Sequence, residues 1–316
     1  LGDRAGVATA CANLGNCYYS TGDYGRAREL HEQDRAICEA LGDRAGVARA
    51  CGNLGNCYHS TGDYGRAREM HEQHKGMAEA LGDRRGVAMA CGNLGSCMSS
   101  TGEYMKAISY FETQHAIAEE LGLEEDRASA AFNMGVAMRL HVRADRQAAA
   151  ASPALSPAAG ASRVPGPRSS ASAHLEDRVK KAATWLETAL AAGHGSASLH
   201  LAHLAFDAGV EDRALDHLKD YLSWCVARGR DSCAGCCQRR GEDAPMLTCS
   251  GCRVARFCSA DHQKMASKSV AAGGSVWTGR HKDICGLLGK WRGVEKDGVS
   301  PDSLRADLLA FLRQMQ

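Results

Sequence analysis

Aromatic residues make up only 5% of this 316-residue chain and prolines number six. A β-sandwich or barrel wants more aromatic and β-branched residues for its core. No run approaches the roughly 18 apolar residues of a transmembrane helix, which excludes a bilayer-spanning segment of that kind. Charge of one sign is also lacking. The formal net charge is +1, and residues 1–140, 141–230 and 231–316 carry −5, +2 and +4, none basic enough to argue for nucleic acid on charge alone. The chain opens at Leu1 in the middle of a repeat rather than at a methionine. It therefore reads as a fragment whose targeting signal would be missing. What is abundant is glycine, at 35, and cysteine, at 15. The length suits about two domains of roughly 100–200 residues each.

A repeat with a period of 40 organises the first half. Residues 1–40 and 41–80 agree at 31 of 40 positions, 81–120 keeps the frame with more drift, and a fourth unit from Leu121 degrades after Leu140. Each unit reads as two helices broken at a Thr-Gly turn such as Thr61-Gly62, with Asp63 a side-chain cap for the second helix. The spacing Leu54, Gly55, Tyr58, Gly62, Tyr64 and Ala67 recurs as Leu14, Gly15, Tyr18, Gly22, Tyr24 and Ala27, and as Leu94, Gly95, Gly102, Tyr104 and Ala107. This pattern resembles the tetratricopeptide repeat (TPR), in the longer form found in polarity adaptors and kinesin light chains. One such unit cannot bury its apolar face alone, so stacking is required and yields a curved solenoid with a groove.

The resemblance implies that the first helix of each pair lines the groove and that the positions two and five after the key leucine point inward. These are Asn16 and Tyr19, Asn56 and His59, Ser96 and Ser99, Val136 and Arg139. Asparagine is a poor residue for a helix interior. At Asn16 and Asn56 either an amide bond to a bound peptide or an inter-repeat contact would explain it. For Asn13, Asn53, Asn93 and Asn133, present in all four units, the expectation is an inter-repeat hydrogen bond. The pairs Cys11/Cys17, Cys51/Cys57 and Cys91/Cys97 are six apart, which is not ligand spacing, and read as small buried hydrophobes. His71-Glu72-Gln73-His74 is not a zincin motif, because Lys75 stands where the second histidine is needed.

Residues 143–174, rich in Ala, Ser, Pro, Gly and Arg and holding four of the six prolines, read as a disordered linker or insertion. Helical patterning returns over 175–230, where Leu201, Ala202, Ala205, Gly209 and Ala214 reproduce the TPR offsets. The linker is then an insertion in the turn of a fourth repeat, with a fifth after it; a separate helical domain is the other reading.

Seven cysteines fall between Cys233 and Cys285. Cys233-x2-Cys236, Cys249-x2-Cys252, Cys258-x3-His262 and His281-x3-Cys285 supply eight ligands, the number and types for two structural zinc ions. Disulfides are the competing reading. So few large apolar residues lie in this stretch that metal would supply its folding energy. Around Arg256-Phe257-Cys258 the pattern resembles a MYND zinc finger over 233–285. That resemblance implies interleaved ligation, with Cys233, Cys236, Cys258 and His262 on one zinc and Cys249, Cys252, His281 and Cys285 on the other. His262 stands where the family usually has cysteine, the interval before His281 is longer than usual, and Cys237 is an extra thiol able to replace Cys236. Beyond it, 286–316 reads as C-terminal helices, the last opened by Ser300-Pro301 and bearing an apolar stripe of Leu304, Leu308, Leu309 and Leu312.

The expected fold is all-α: a TPR solenoid, a small zinc-stabilised finger and short terminal helices. The expected function is that of a non-enzymatic, intracellular (cytoplasmic or nuclear) scaffold that joins two modest protein-binding sites, with no small-molecule substrate and no membrane. A fragment of a SET/MYND lysine methyltransferase is the enzyme alternative. It is disfavoured because the repeats precede the finger and no SET-like motif is present. Nucleic-acid binding through Arg239, Arg240, Arg253 and Arg256 is a third, with solvated surface as the simpler account.

Overall fold

In the computed structural model the described residues are 3–151, 170–228, 247–248, 256–257 and 301–314. They form α1 (Arg4–Ser20), α2 (Tyr24–Leu41), α3 (Arg44–Ser60), α4 (Tyr64–Leu81), α5 (Arg84–Ser100), α6 (Tyr104–Glu120), α7 (Glu124–Ala151), α8 (Ser170–Ala191), α9 (Ala197–Asp207), α10 (Glu211–Arg228) and α11 (Pro301–Gln314). One antiparallel pair, β1 (Leu247–Thr248) with β2 (Arg256–Phe257), is in register Leu247↔Phe257. These residues are all-α apart from that pair.

Local chemistry sets the helix ends. Asp3, Asp43 and Asp83 accept from the backbone N–H three residues on, at Gly6, Gly46 and Gly86. Asp63 caps α4 in the same way, accepting from Arg66 N–H at 3.1 Å, which satisfies one of the orphan donors of the first turn. The first helices stop at Thr-Gly, where Gly22, Gly62 and Gly102 take φ of 83–84°, a region open to glycine at little cost. In the fourth unit the matching residues are His141 and Val142. Without the glycine the helix does not turn, Val142 is buried, and α7 runs to Ala151.

Consecutive helices pack as hairpins from α1·α2 through α9·α10, and α7 packs on α8 as closely as α1 on α2. The fourth hairpin therefore closes across the intervening segment. Residues 143–151 and 170–174 are helix rather than the disordered linker expected for 143–174, and 152–169 lie outside the described residues. The first helices of successive pairs also touch one another, α1 on α3, α3 on α5, α5 on α7 and α7 on α9, with no comparable packing among α2, α4 and α6. Spacing that is tighter on one side bends the stack, so α1, α3, α5, α7 and α9 form its inner face.

Small residues permit the close hairpins. Ala27, Ala67 and Ala107 are fully buried, and a Cβ on Gly15, Gly55, Gly95 or Gly135 would fall within 2.6 Å of the facing His31, His71, Phe111 or Leu186. Leu54 and Leu94 are buried between them, each worth about 1.5–3 kcal/mol. Leu14 is 48% exposed at the equivalent site, because no described helix covers that side of α1. At the other end α11 packs on α9 and α10 and buries Leu308, Leu309, Phe311 and Leu312.

Candidate protein-binding face and a basic pocket

Asn16 is exposed on the inner face, while Asn56, Ser96 and Ser99 are half-buried there. Ser96 Oγ is turned back to the Gly92 carbonyl at 3.0 Å. Tyr19 and His59 are engaged between repeats instead of standing free for a ligand. Tyr19 Oη shares a hydrogen bond of 2.8 Å with Ser60 Oγ, and His59 Nε2 one of 3.2 Å with Ser100 Oγ. Their rings also meet Tyr24 and Tyr64 edge to face. Burial raises the Tyr19 phenol and lowers the His59 imidazole from their ordinary values. The inter-repeat bonding expected of Asn13, Asn53, Asn93 and Asn133 is thus carried by Tyr19 and His59. Among the described residues no side-chain hydrogen bond involves those four asparagines.

Arg139 departs furthest from expectation. Its register is that of a groove residue, yet it is only 9% exposed, tucked where α9 returns against α7. With Arg143, Arg146 and Gln147 of α7 and His203 and Asp207 of α9 it lines a cavity of about 210 Å³. Arg146 Nη1 donates to the Asp207 carbonyl at 3.4 Å and stands 4.0 Å from its carboxylate. Arg139 Nε is buried without a partner. Burial lowers its guanidinium to about 10 and the imidazole of His203 to about 4, so that ring is neutral at physiological pH. The arginines at 143 and 146 are four and seven residues beyond Arg139 on one helix face, a signal visible in the sequence once α7 is known to run on.

The repeat cysteines Cys38, Cys51, Cys57, Cys91 and Cys97 are buried thiols; Cys11 is half-buried and Cys17 exposed. Among the described residues no group of three or more His, Cys, Asp or Glu is placed to hold a metal. The eight residues read as zinc ligands, Cys233, Cys236, Cys249, Cys252, Cys258, His262, His281 and Cys285, lie outside the described residues, as do Arg239, Arg240 and Arg253. No described helix is long and apolar enough to cross a membrane.

Family models described as tetratricopeptide repeat match residues 6–80 and 90–125. Residues 6–80 and 90–125 are TPR units. Among solved structures, a kinesin light chain protein of Podosopora anserina with nearly identical TPR-like repeats is similar at 15% identity and a TM-score of 0.51, over 71% of this chain and 96% of that one. BtubC (BKLC) from P. vanneervenii is similar at 16% identity and a TM-score of 0.50, over 67% of this chain and 76% of that one. At such identities the likeness is one of fold. No curated protein matches the chain. The TPR solenoid is an architecture suited to protein partners.

Proposed function

We propose that the chain is a non-enzymatic adaptor whose TPR inner face holds an extended peptide or a helix of one protein, while a two-zinc MYND-type finger over 233–285 holds a short motif of another. The observation that carries the first half is the inner face itself, a continuous row of first helices with Asn16, Asn56, Ser96 and Ser99 at its surface. Amides and hydroxyls there offer both donors and acceptors to a peptide backbone. The second half is supported by ligand spacing alone: two Cys-x2-Cys pairs, Cys258-x3-His262 and His281-x3-Cys285 supply two four-coordinate sites. Zinc held there would contribute folding energy.

Two measurements on the full chain test it. Elemental analysis is expected to find two zinc ions per chain, and a metal-free chain removes the finger from the reading. A randomised peptide library panned against the chain is expected to yield a consensus whose binding weakens in Asn16→Ala and Asn56→Ala. Selected peptides indifferent to both substitutions place the site elsewhere.

A further inference from the structure

We propose that the cavity between α7 and α9 is an oxyanion site that takes a phosphate group. Its walls carry three guanidinium groups, Arg139, Arg143 and Arg146, against one carboxylate, Asp207. Arg146 is the one satisfied by the end of α9, through the Asp207 carbonyl and carboxylate. Asp207 also attracts Arg139, yet one carboxylate against three guanidinium groups leaves the lining two positive charges in excess. His203 adds none, because burial keeps it neutral.

A cation as buried as Arg139 ordinarily has an ion or hydrogen-bond partner, since desolvating it alone is costly. Here its Nε faces no acceptor. Placing a neighbour of like charge one turn along, at Arg143, makes the arrangement worse in isolation, and the Arg143 charge adds to burial in lowering the basicity of Arg139. A dianion between them answers both defects at once. Phosphate matches the charge, and planar guanidinium forks match its oxygens. A cavity of about 210 Å³ admits the group with room for water. The site is independent of the peptide reading above, because its ligand chemistry rests on the pocket alone. The phosphate has two sources, the free ion or a phosphorylated side chain.

The test is ³¹P line broadening of inorganic phosphate titrated with the full chain. Saturable broadening at one site is expected, with affinity falling about tenfold or more in Arg143→Gln, which is half-exposed and leaves the core intact. Arg139→Gln should behave alike, and circular dichroism reports whether it folds. Asp207→Asn, by removing the one carboxylate among the described lining residues, should tighten binding severalfold, which a merely structural role would not produce. Arg66→Gln, on an exposed arginine in another repeat, should change nothing. Absence of saturable broadening, or binding unaltered in a folded Arg143→Gln, overturns the proposal. A capped phosphoserine tripeptide separates the sources: competition with inorganic phosphate assigns the site to phosphorylated chains, and no competition assigns it to the free ion. If a glutamate tripeptide competes as well as phosphoserine, the assignment to a dianion is wrong.

Discussion

The Cβ that Gly55 lacks would stand 2.4 Å from Cε1 of His71, so the second hairpin closes only because one residue has no side chain and the ring opposite fills its place. The same relation joins Gly15 to His31 and Gly95 to Phe111. Gly55→Ala is expected to destabilise the chain by about 1–3 kcal/mol through overpacking. Gly76→Ala, in the same hairpin but with open space around it, should stabilise by about 0.5–1 kcal/mol through helix propensity. Urea midpoints of the two variants check this, and equal midpoints would show that the contact is not tight.

Acid should loosen the array through its buried imidazoles. Burial lowers His71 to about 3 and also lowers His31 and His74, whereas an unfolded histidine takes a proton near pH 6.5. Below pH 6.5 the unfolded chain therefore binds more protons, and stability falls with pH until about 3. His71 alone accounts for about 2 kcal/mol between neutrality and pH 5. Replacing it with the residue found at the equivalent site of the third repeat, His71→Phe, should flatten that slope in thermal melts from pH 7 to 5. A slope unchanged from the parent would assign the effect to other groups.

How much of this the sequence made legible follows from what is local and what is not. The 40-residue register placed Leu54, Gly55, Tyr58 and Ala67 at their packing positions, because each acts within its own hairpin. The end of each first helix was readable from the Thr-Gly pair, whereas the extension of α7 was missed: composition made 143–174 read as a disordered linker, and the local signal was Val142, standing where the other units have glycine. Tyr19 and His59 were given to the groove because their partners, Ser60 and Ser100, are 41 residues away. The period contained that pairing, but only stacking shows it. Arg139 was assigned to the groove for the same reason. Its burial depends on α9, which arrives after a segment whose length no local pattern reveals.

The hydroxyl pair that replaces groove contact should be measurable. Tyr19→Phe and Ser60→Ala are each expected to cost about 0.5–1.5 kcal/mol. The double variant should lose less than the sum of the two, since both remove one bond. Additive losses in a denaturation cycle would mean that Tyr19 and Ser60 do not share it.

Thiol chemistry should grade along the array. Burial pushes Cys57 and Cys97 up to about 11, which leaves little thiolate to react, whereas Cys17 is exposed. Alkylation of the native chain by iodoacetamide, read by peptide mass, should therefore mark Cys17 well before Cys57 or Cys97. Denaturant should erase the difference; simultaneous labelling without it would show that the second and third first-helices open readily.

The first two repeats are near copies, and near copies side by side can mispair during folding, one unit docking where another belongs. Asp34 counters this. Fully buried on α2, it lies 3.4 Å from the Arg49 guanidinium of α3, while the third repeat has Met89 in place of that arginine and the second has His74 in place of the aspartate. A chain that skipped the second unit would strand the Asp34 carboxylate against a thioether. One ion pair at one junction thus gives otherwise interchangeable modules a fixed order.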